Sequence, residues 1–296
     1  MTFAVGTYPI PGHRLTGRLG AGSFAEVWEA VRDDGSKVAL KFLDTRAKGS
    51  ALIAGEVRML RGLAALRHPN IIQLHAVIPS SKYLVLVMER ADCNLTDLRE
   101  AYVKETGGNV PPEHAVDLLD QAATALDFLA TQNVGGATHG LQHCDVKPTN
   151  LLLVGYTLKI ADFGLCAGSG WHTHQKGWKG TRPYAAPELF NGTAAPGTDQ
   201  YALAVTFCEL VMGERPFWQG TPADAPPAGM PLDLTKLRES EFPIISRALH
   251  PYPSSRWPGC RAFLQALRKA LATPREQRSV RIFPRGRSGP LREAIA

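Results

Sequence analysis

Cysteines spaced for metal binding or cross-linking are missing from this chain. Its 296 residues hold five (Cys93, Cys144, Cys166, Cys208 and Cys260), an odd number, far apart, with no Cys-x-x-Cys pair. That argues against a disulfide framework or a zinc knuckle and points to a reducing compartment. Long apolar runs are missing too. The longest, around Ala202 to Met212, contains Glu209 and is too short to cross a bilayer. Met1 to Leu19 carries Gly6, Pro9, Pro11 and Gly12 where a secretory leader needs an apolar centre. A soluble, cytoplasmic chain is the expectation. Surplus charge is scarce once it is located. Of the net +6, Arg275 to Ala296 supplies +4 through six arginines and two glutamates, so the body is only +2. That is weak ground for a nucleic-acid surface, and no nucleic-acid partner is expected. Internal repeats are also absent. What remains is ordinary globular material, 44% hydrophobic and 20% charged, enough for one large domain or two lobes.

The most informative stretch is Leu141 to Leu153, which holds Asp145, Lys147 and Asn150. An acid, a lysine two residues on and an asparagine five residues on can converge on one phosphate. The lysine would steady a moving phosphoryl charge, and the asparagine carbonyl could hold a metal ion. A second acid follows in Asp162-Phe163-Gly164.

Upstream, Leu15 to Ala30 reads as strand, glycine-rich turn, strand. Gly20 and Gly22 let backbone amides approach phosphate oxygens, although the same Gly-Ala-Gly also suits a plain tight turn. Ala25 stands where a third glycine would complete the pattern. Val27, on the returning strand, could cover an adenine ring. In Val38 to Leu43 the period of two puts Val38, Leu40 and Phe42 on one face and Ala39, Lys41 and Leu43 on the other. Ala51 to Arg67 reads as a helix with a Val57, Leu60, Ala64 stripe, Leu63 and Leu66 beside it, and Glu56 at the rim. From there Glu56 could reach a lysine on the neighbouring strand. Tyr83 to Met88 is a continuous apolar strand, and Glu89 to Asn94 is a polar connector. The best domain boundary falls between them.

Beyond it helical periodicity dominates. Glu113 to Leu129, Asp199 to Met212 and a stripe from Cys260 to Leu271 read as helices. Thr131 to Gly140 is a loose link, and Leu165 to Arg182 lacks apolar periodicity. Reading His172 and His174 with Cys166 as metal ligands fails for want of a fourth donor.

Taken together, these motifs resemble the protein kinase family, specifically its eukaryotic-like serine/threonine branch, in the right order from about Leu19 to Leu271. The resemblance implies an α+β, bilobal fold. A β-rich lobe with one main helix would span 1–88, a larger and mostly helical lobe 89–274, and a basic, flexible tail 275–296. It implies an ATP-dependent phosphotransferase acting on serine and threonine hydroxyls of proteins, itself among them, with Mg2+ or Mn2+ as metal. Asp145 would be the catalytic base and Lys147 would meet the γ-phosphate. Lys41 would bind the α- and β-phosphates with Glu56 as its helix partner. Asn150 and Asp162 would hold metal. Leu19, Gly20, Gly22, Val27, Ala39, Lys41, Met88, Glu89, Ala91 and Leu152 would surround the nucleotide, with Met88 as gatekeeper and Glu89 and Ala91 offering hinge backbone. Leu60, Leu74, His143 and Phe163 would stack as a spine between the lobes. Asp199 would brace the catalytic loop, Glu188 of Ala186-Pro187-Glu188 would pair with Arg256, and Thr181 would contact Asp145 and Lys147.

Cys144 departs from the family: it stands where an arginine usually pairs with an activation-segment phosphate. Activity that does not depend strictly on phosphorylation of Ser169 and Thr173 is therefore expected. Cys166 is expected near Cys144, as a small buried residue rather than a redox partner. Thr149 stands where some relatives carry an acid that selects basic substrates, so no arginine-directed preference is expected. Two other readings share these motifs. One is a nucleotide-binding pseudokinase scaffold, the other a small-molecule phosphotransferase of kinase-like fold.

Overall fold

The computed structural model describes residues 3–21, 25–45, 50–80, 82–134, 140–168, 180–217 and 231–272. Gly22, Gly135, Gly136, Ser169, Trp171, His172, Thr173, His174 and the 275–296 tail lie outside the described residues.

Five strands open the chain: β1 (His13–Ala21), β2 (Ala25–Arg32), β3 (Lys37–Asp44), β4 (Leu74–Pro79) and β5 (Tyr83–Glu89). They form one antiparallel sheet in the order β1-β2-β3-β5-β4. The expected alternation in β3 holds. Val38, Leu40 and Phe42 are buried with Leu15, Trp28, Ala30, Val85 and Val87 in a core of their own. Phe3, ahead of β1, closes this core, its ring 4.2 Å from that of Phe42 and 5.5 Å from that of Tyr83. Lys41 and Ala39 therefore face the other way.

Helix α1 (Ser50–Ala65) sits between β3 and β4 and buries Leu60 and Leu63 into a larger core. The remaining elements are β6 (Cys93–Asn94), α2 (Leu95–Thr106), α3 (Pro112–Leu129), β7 (Leu141–Gln142), β8 (Leu151–Val154), β9 (Thr157–Ile160), β10 (Ala167–Gly168), α4 (Pro187–Phe190), α5 (Thr198–Met212), α6 (Phe242–Ala248) and α7 (Cys260–Ala272). This is the bilobal α+β arrangement that the resemblance implied. Helix α5 is buried almost all round and forms the centre of the helical part. The amphipathic α3 and α7 pack against it and against each other.

Helix ends are fastened by named groups. Asn94 Oδ1 accepts from the amides of Thr96 and Asp97, and the Asp97 carboxylate accepts from Asn94 N, a capping box that starts α2. The Asp127 carboxylate on α3 accepts from Cys260 N (2.8 Å) and Arg261 N (3.1 Å), placing negative charge at the positive end of α7. No described helix is long and apolar enough to cross a membrane.

Candidate active site

The short β7 delivers the chain into the loop that holds Asp145. Two clamps fix that loop. Asp199, buried at the start of α5, accepts from His143 N (2.7 Å) and Cys144 N (2.8 Å), one carboxylate oxygen each. The His143 ring takes the Asp145 amide on Nδ1 (3.3 Å), so its Nε2 carries the proton donated to Ala161 O (2.9 Å). Ala161 N in turn donates to Asn150 O (2.9 Å). The peptide beside Asp162 is thus held from both sides by the loop containing Asp145.

The Asp145 carboxylate is surrounded by donors. Oδ1 accepts from Thr181 N at 3.1 Å. Oδ2 lies 2.9 Å from Lys147 Nζ and accepts from Asn150 Nδ2 at 2.9 Å. A carboxylate offers about four lone-pair positions, so Oδ1 keeps capacity for an incoming hydroxyl. Lys147 Nζ also donates to Thr181 Oγ1 at 2.5 Å, so the expected Thr181 contacts to both residues are present.

Asn150 Nδ2 spends its two hydrogens on Asp145, on the backbone oxygen (2.8 Å) and on the carboxylate. Its Oδ1 is left as the acceptor. Asp162 adopts a left-handed φ of 67°, uncommon outside glycine, and its carboxylate meets Lys41 Nζ at 2.5 Å. Burial alone would raise the Asp162 pKa, but the Lys41 charge and hydrogen bond, with the Lys147 charge, hold it below the usual carboxylate value.

Lys41, Glu56, Leu60, Leu74, Met88, Asp162 and Phe163 line one cavity of about 60 Å³. Phe163, which lines that cavity with Leu60 and Leu74, packs edge-on to His143, ring centroids 5.1 Å apart. The roof residues fall in one cross-strand row, Gly20 opposite Val27, Val27 opposite Lys41 and Lys41 opposite Leu86, with Ala39 opposite Met88. Leu19 is exposed, and Ala91 and Leu152 are half-buried, with Leu152 paired to Asn94 in the β6–β8 ladder.

On the far side, Arg256 forks onto Glu188 with two bonds of 2.8 Å, its side chain wholly buried. This fastens α4, and with it the segment running back to Thr181. Tyr184 donates to Glu209 on α5. Cys144 packs with Ala185, Leu189 and Ala194, and Cys166 lies in the main core; neither forms a disulfide. His172 and His174 lie outside the described residues, and no group of three metal-ligating side chains occurs among the described ones.

Sequence reasoning missed the charged side chains around the hinge: Glu29, Arg90, Asp92 and Lys159. Glu89 was singled out for its backbone, but its side chain also works, bonding Lys159 Nζ at 2.9 Å. The readable signal was a charge two residues after Val27 and another within the polar connector.

A family model described as the protein kinase domain matches residues 14–265. The Carbon catabolite-derepressing protein kinase of Candida tropicalis is 33% identical over 69% of this chain and 32% of its own length. The Serine/threonine-protein kinase PknA of Mycobacterium tuberculosis is 32% identical over 94% of this chain and 65% of its own. The crystal structure of the Mycobacterium tuberculosis PknI kinase domain superposes with a TM-score of 0.67 at 25% identity, covering 91% of this chain and 100% of that one. The chain thus spans 32% to 65% of the length of these two full-length relatives. With that match over most of its length and this fold, the chain belongs to the protein kinase family.

Proposed function

We propose that the chain transfers the γ-phosphate of ATP to serine and threonine hydroxyls of proteins. The observation that carries this is the Asp145 cluster, in which one carboxylate is oriented by Lys147, Asn150 and Thr181. Asp145 Oδ1 would accept the hydroxyl proton of the acceptor and hold its oxygen in line with the phosphorus. The Lys147 ammonium, between Asp145 and Thr181, would balance charge on the phosphoryl group as it moves. Lys41, kept in place at Asp162 and lining a cavity with Glu56, would meet the α- and β-phosphates. Ala39, Val27 and Met88 would enclose the base, and Glu89 and Ala91 would offer backbone to it.

The residues fit a hard divalent ion. Asn150 presents a carbonyl oxygen because its amide hydrogens are committed, and Asp162 presents an ionised carboxylate from a clamped backbone. Two protein oxygens suit Mg2+, which keeps waters and takes the rest of its shell from phosphate; Mn2+ would serve in its place. When bound, the ion neutralises charge between the phosphates.

Serine/threonine specificity is supported by the Thr181 contacts and by the printed name of the PknA relative. A protein acceptor is supported by the Thr181 to Glu188 segment, which Arg256 and Glu209 hold as a platform beside Asp145. The pseudokinase reading is disfavoured because Lys41, Glu56, Asp145, Lys147, Asn150 and Asp162 are all of the residue types that the chemistry needs. We place the lobe boundary between Met88 and Glu89. Five cysteines without a disulfide suit a cytoplasmic setting.

Cys144 supports a non-arginine, phosphate-independent version of the family mechanism. It holds a left-handed φ of 65° and is buried against Ala185, Leu189 and Ala194. The end of the activation segment is seated on it by apolar contact. Labelled ATP offered with a generic protein, with aminoglycosides and with choline tests the whole reading: label should enter protein serine and threonine. Label entering the small molecules alone would overturn it.

A further inference from the structure

Charged side chains that the phosphate chemistry does not use tie the hinge to both walls of the cleft. Arg90 lies between Glu89 and Ala91. Its Nε donates to Glu29 Oε2 at 2.8 Å, and its Nη1 donates to Asp92 Oδ1 at 3.0 Å. The other Asp92 oxygen, Oδ2, accepts from Gly155 N at 2.8 Å, in the turn between β8 and β9. A continuous line of charge-assisted bonds therefore runs from the roof strand β2, across the hinge, to the floor of the cleft.

Glu29 is well placed to be the roof anchor. It follows Val27 by two residues and stands opposite Ala39, so it shares the sheet face that carries Val27, Ala39 and Lys41. Its Oε1 accepts from Thr16 Oγ1 on β1 (2.9 Å), with Lys37 Nζ 3.4 Å away. The Glu29 side chain is 13% exposed and that of Arg90 29%. Burial works to raise the Glu29 pKa, but hydrogen bonds from Thr16, Arg90 and Lys37 outweigh it and keep the carboxyl below its usual value. On the inner side, Glu89 Oε2 bonds Lys159 Nζ of β9 (2.9 Å) and Gln73 N (3.2 Å). Glu89 is thereby anchored to the floor, and the link to the roof falls to Arg90 and Glu29.

We propose that Glu29 and Arg90 are positioning residues that set how far the cleft opens at its adenine end. The proposal rests on the nucleotide reading above. A ligand that needs the closed cleft binds with an apparent affinity reduced by the fraction of molecules that are closed. Without the strap that fraction falls and ATP binds more weakly. Saturating ATP closes the cleft again, so turnover at saturation is retained. The pair is partly exposed, so the effect is modest, roughly three- to tenfold in Kd, and salt screens it.

The test measures Kd for a fluorescent ATP analogue with magnesium, together with KM and kcat for ATP. The proteins are the wild type, Arg90→Met, Glu29→Gln, the double variant and the reversed pair Glu29→Arg with Arg90→Glu. Each single change should raise Kd and KM by the same factor with kcat held. The double variant should be no worse than either single, and the reversed pair, which sets a cation beside Lys37 and an anion beside Asp92, should not recover the loss. Added salt should weaken the wild type more than Arg90→Met. An unchanged Kd in Arg90→Met beside a tightly binding wild type would overturn the proposal. So would a lowered thermal midpoint with Kd and KM unmoved, which marks a merely structural pair. A wild type that binds no nucleotide would instead overturn the reading beneath it.

Discussion

Gly140 enters the catalytic loop with φ +73°, and a Cβ added there would lie 1.9 Å from Ala130 O. Both the backbone conformation and the missing side chain are required. Gly140→Ala should cost at least about 2 kcal/mol, read as a lower denaturation midpoint with loss of activity. Nothing in the sequence around Gly140 announces this, because the obstructing atom sits ten residues away at the end of α3. Asp145, Lys147, Asn150 and Asp162 stand out in the sequence because the proposed chemistry demands fixed residue types at short spacing. Cys144 was legible as a departure but not as a contact. The structure adds the apolar seat formed with Ala185, Leu189 and Ala194. On the proposed reading this buried apolar contact seats the end of the segment without a phosphate, so Ser169→Ala with Thr173→Ala should keep most of the wild-type rate. A fall to background in a radiolabel assay would show that the segment needs phosphate after all.

Among the elements, α4 is too short to hold its place by its own hydrogen bonds, since isolated turns are unfavourable. It is held by Arg256, whose buried guanidinium takes Glu188 with two bonds and caps the carbonyls of Gly197, His250 and Pro251. Removing one partner leaves the other charged and buried. Arg256→Met should lower unfolding free energy by about 3–5 kcal/mol, measured by urea denaturation. A loss below about 1 kcal/mol, the value of a surface pair, would contradict this. The long elements were readable where one face is buried: α3 and α7 have strong apolar stripes, and β3 alternates. The α2 helix was not, since it buries only Leu95 among its twelve residues and is specified by the Asn94 capping box. The β8–β9 hairpin was hidden because its leucines read as the end of the catalytic loop. Its partners lie close in sequence, Val154 opposite Thr157 and Leu151 opposite Ile160, but strands of four residues are too short to show a period.

At the scale of the whole molecule, two cores divide the work. One lies on one face of the five-stranded sheet, and the other runs from α1 through β9 to α7. The cleft lies where the sheet meets the second core, with Lys41 and Val27 above and Asp145, Asn150 and Asp162 below. The bilobal plan was legible from the order of motifs. The ties across the cleft were not, because each depends on a pair of residues from distant parts of the chain. The central claim is that this cleft moves phosphate from ATP to protein hydroxyls through Asp145. Its most direct test compares wild type with Asp145→Asn, measuring label transferred from ATP to protein and, separately, ATP affinity. The account predicts serine and threonine labelling that chelation of divalent metal abolishes. It also predicts a loss of roughly 10²- to 10⁴-fold in rate in the variant, with ATP affinity retained. Equal rates in the two proteins, or wild-type protein that binds ATP and labels no hydroxyl, would contradict it.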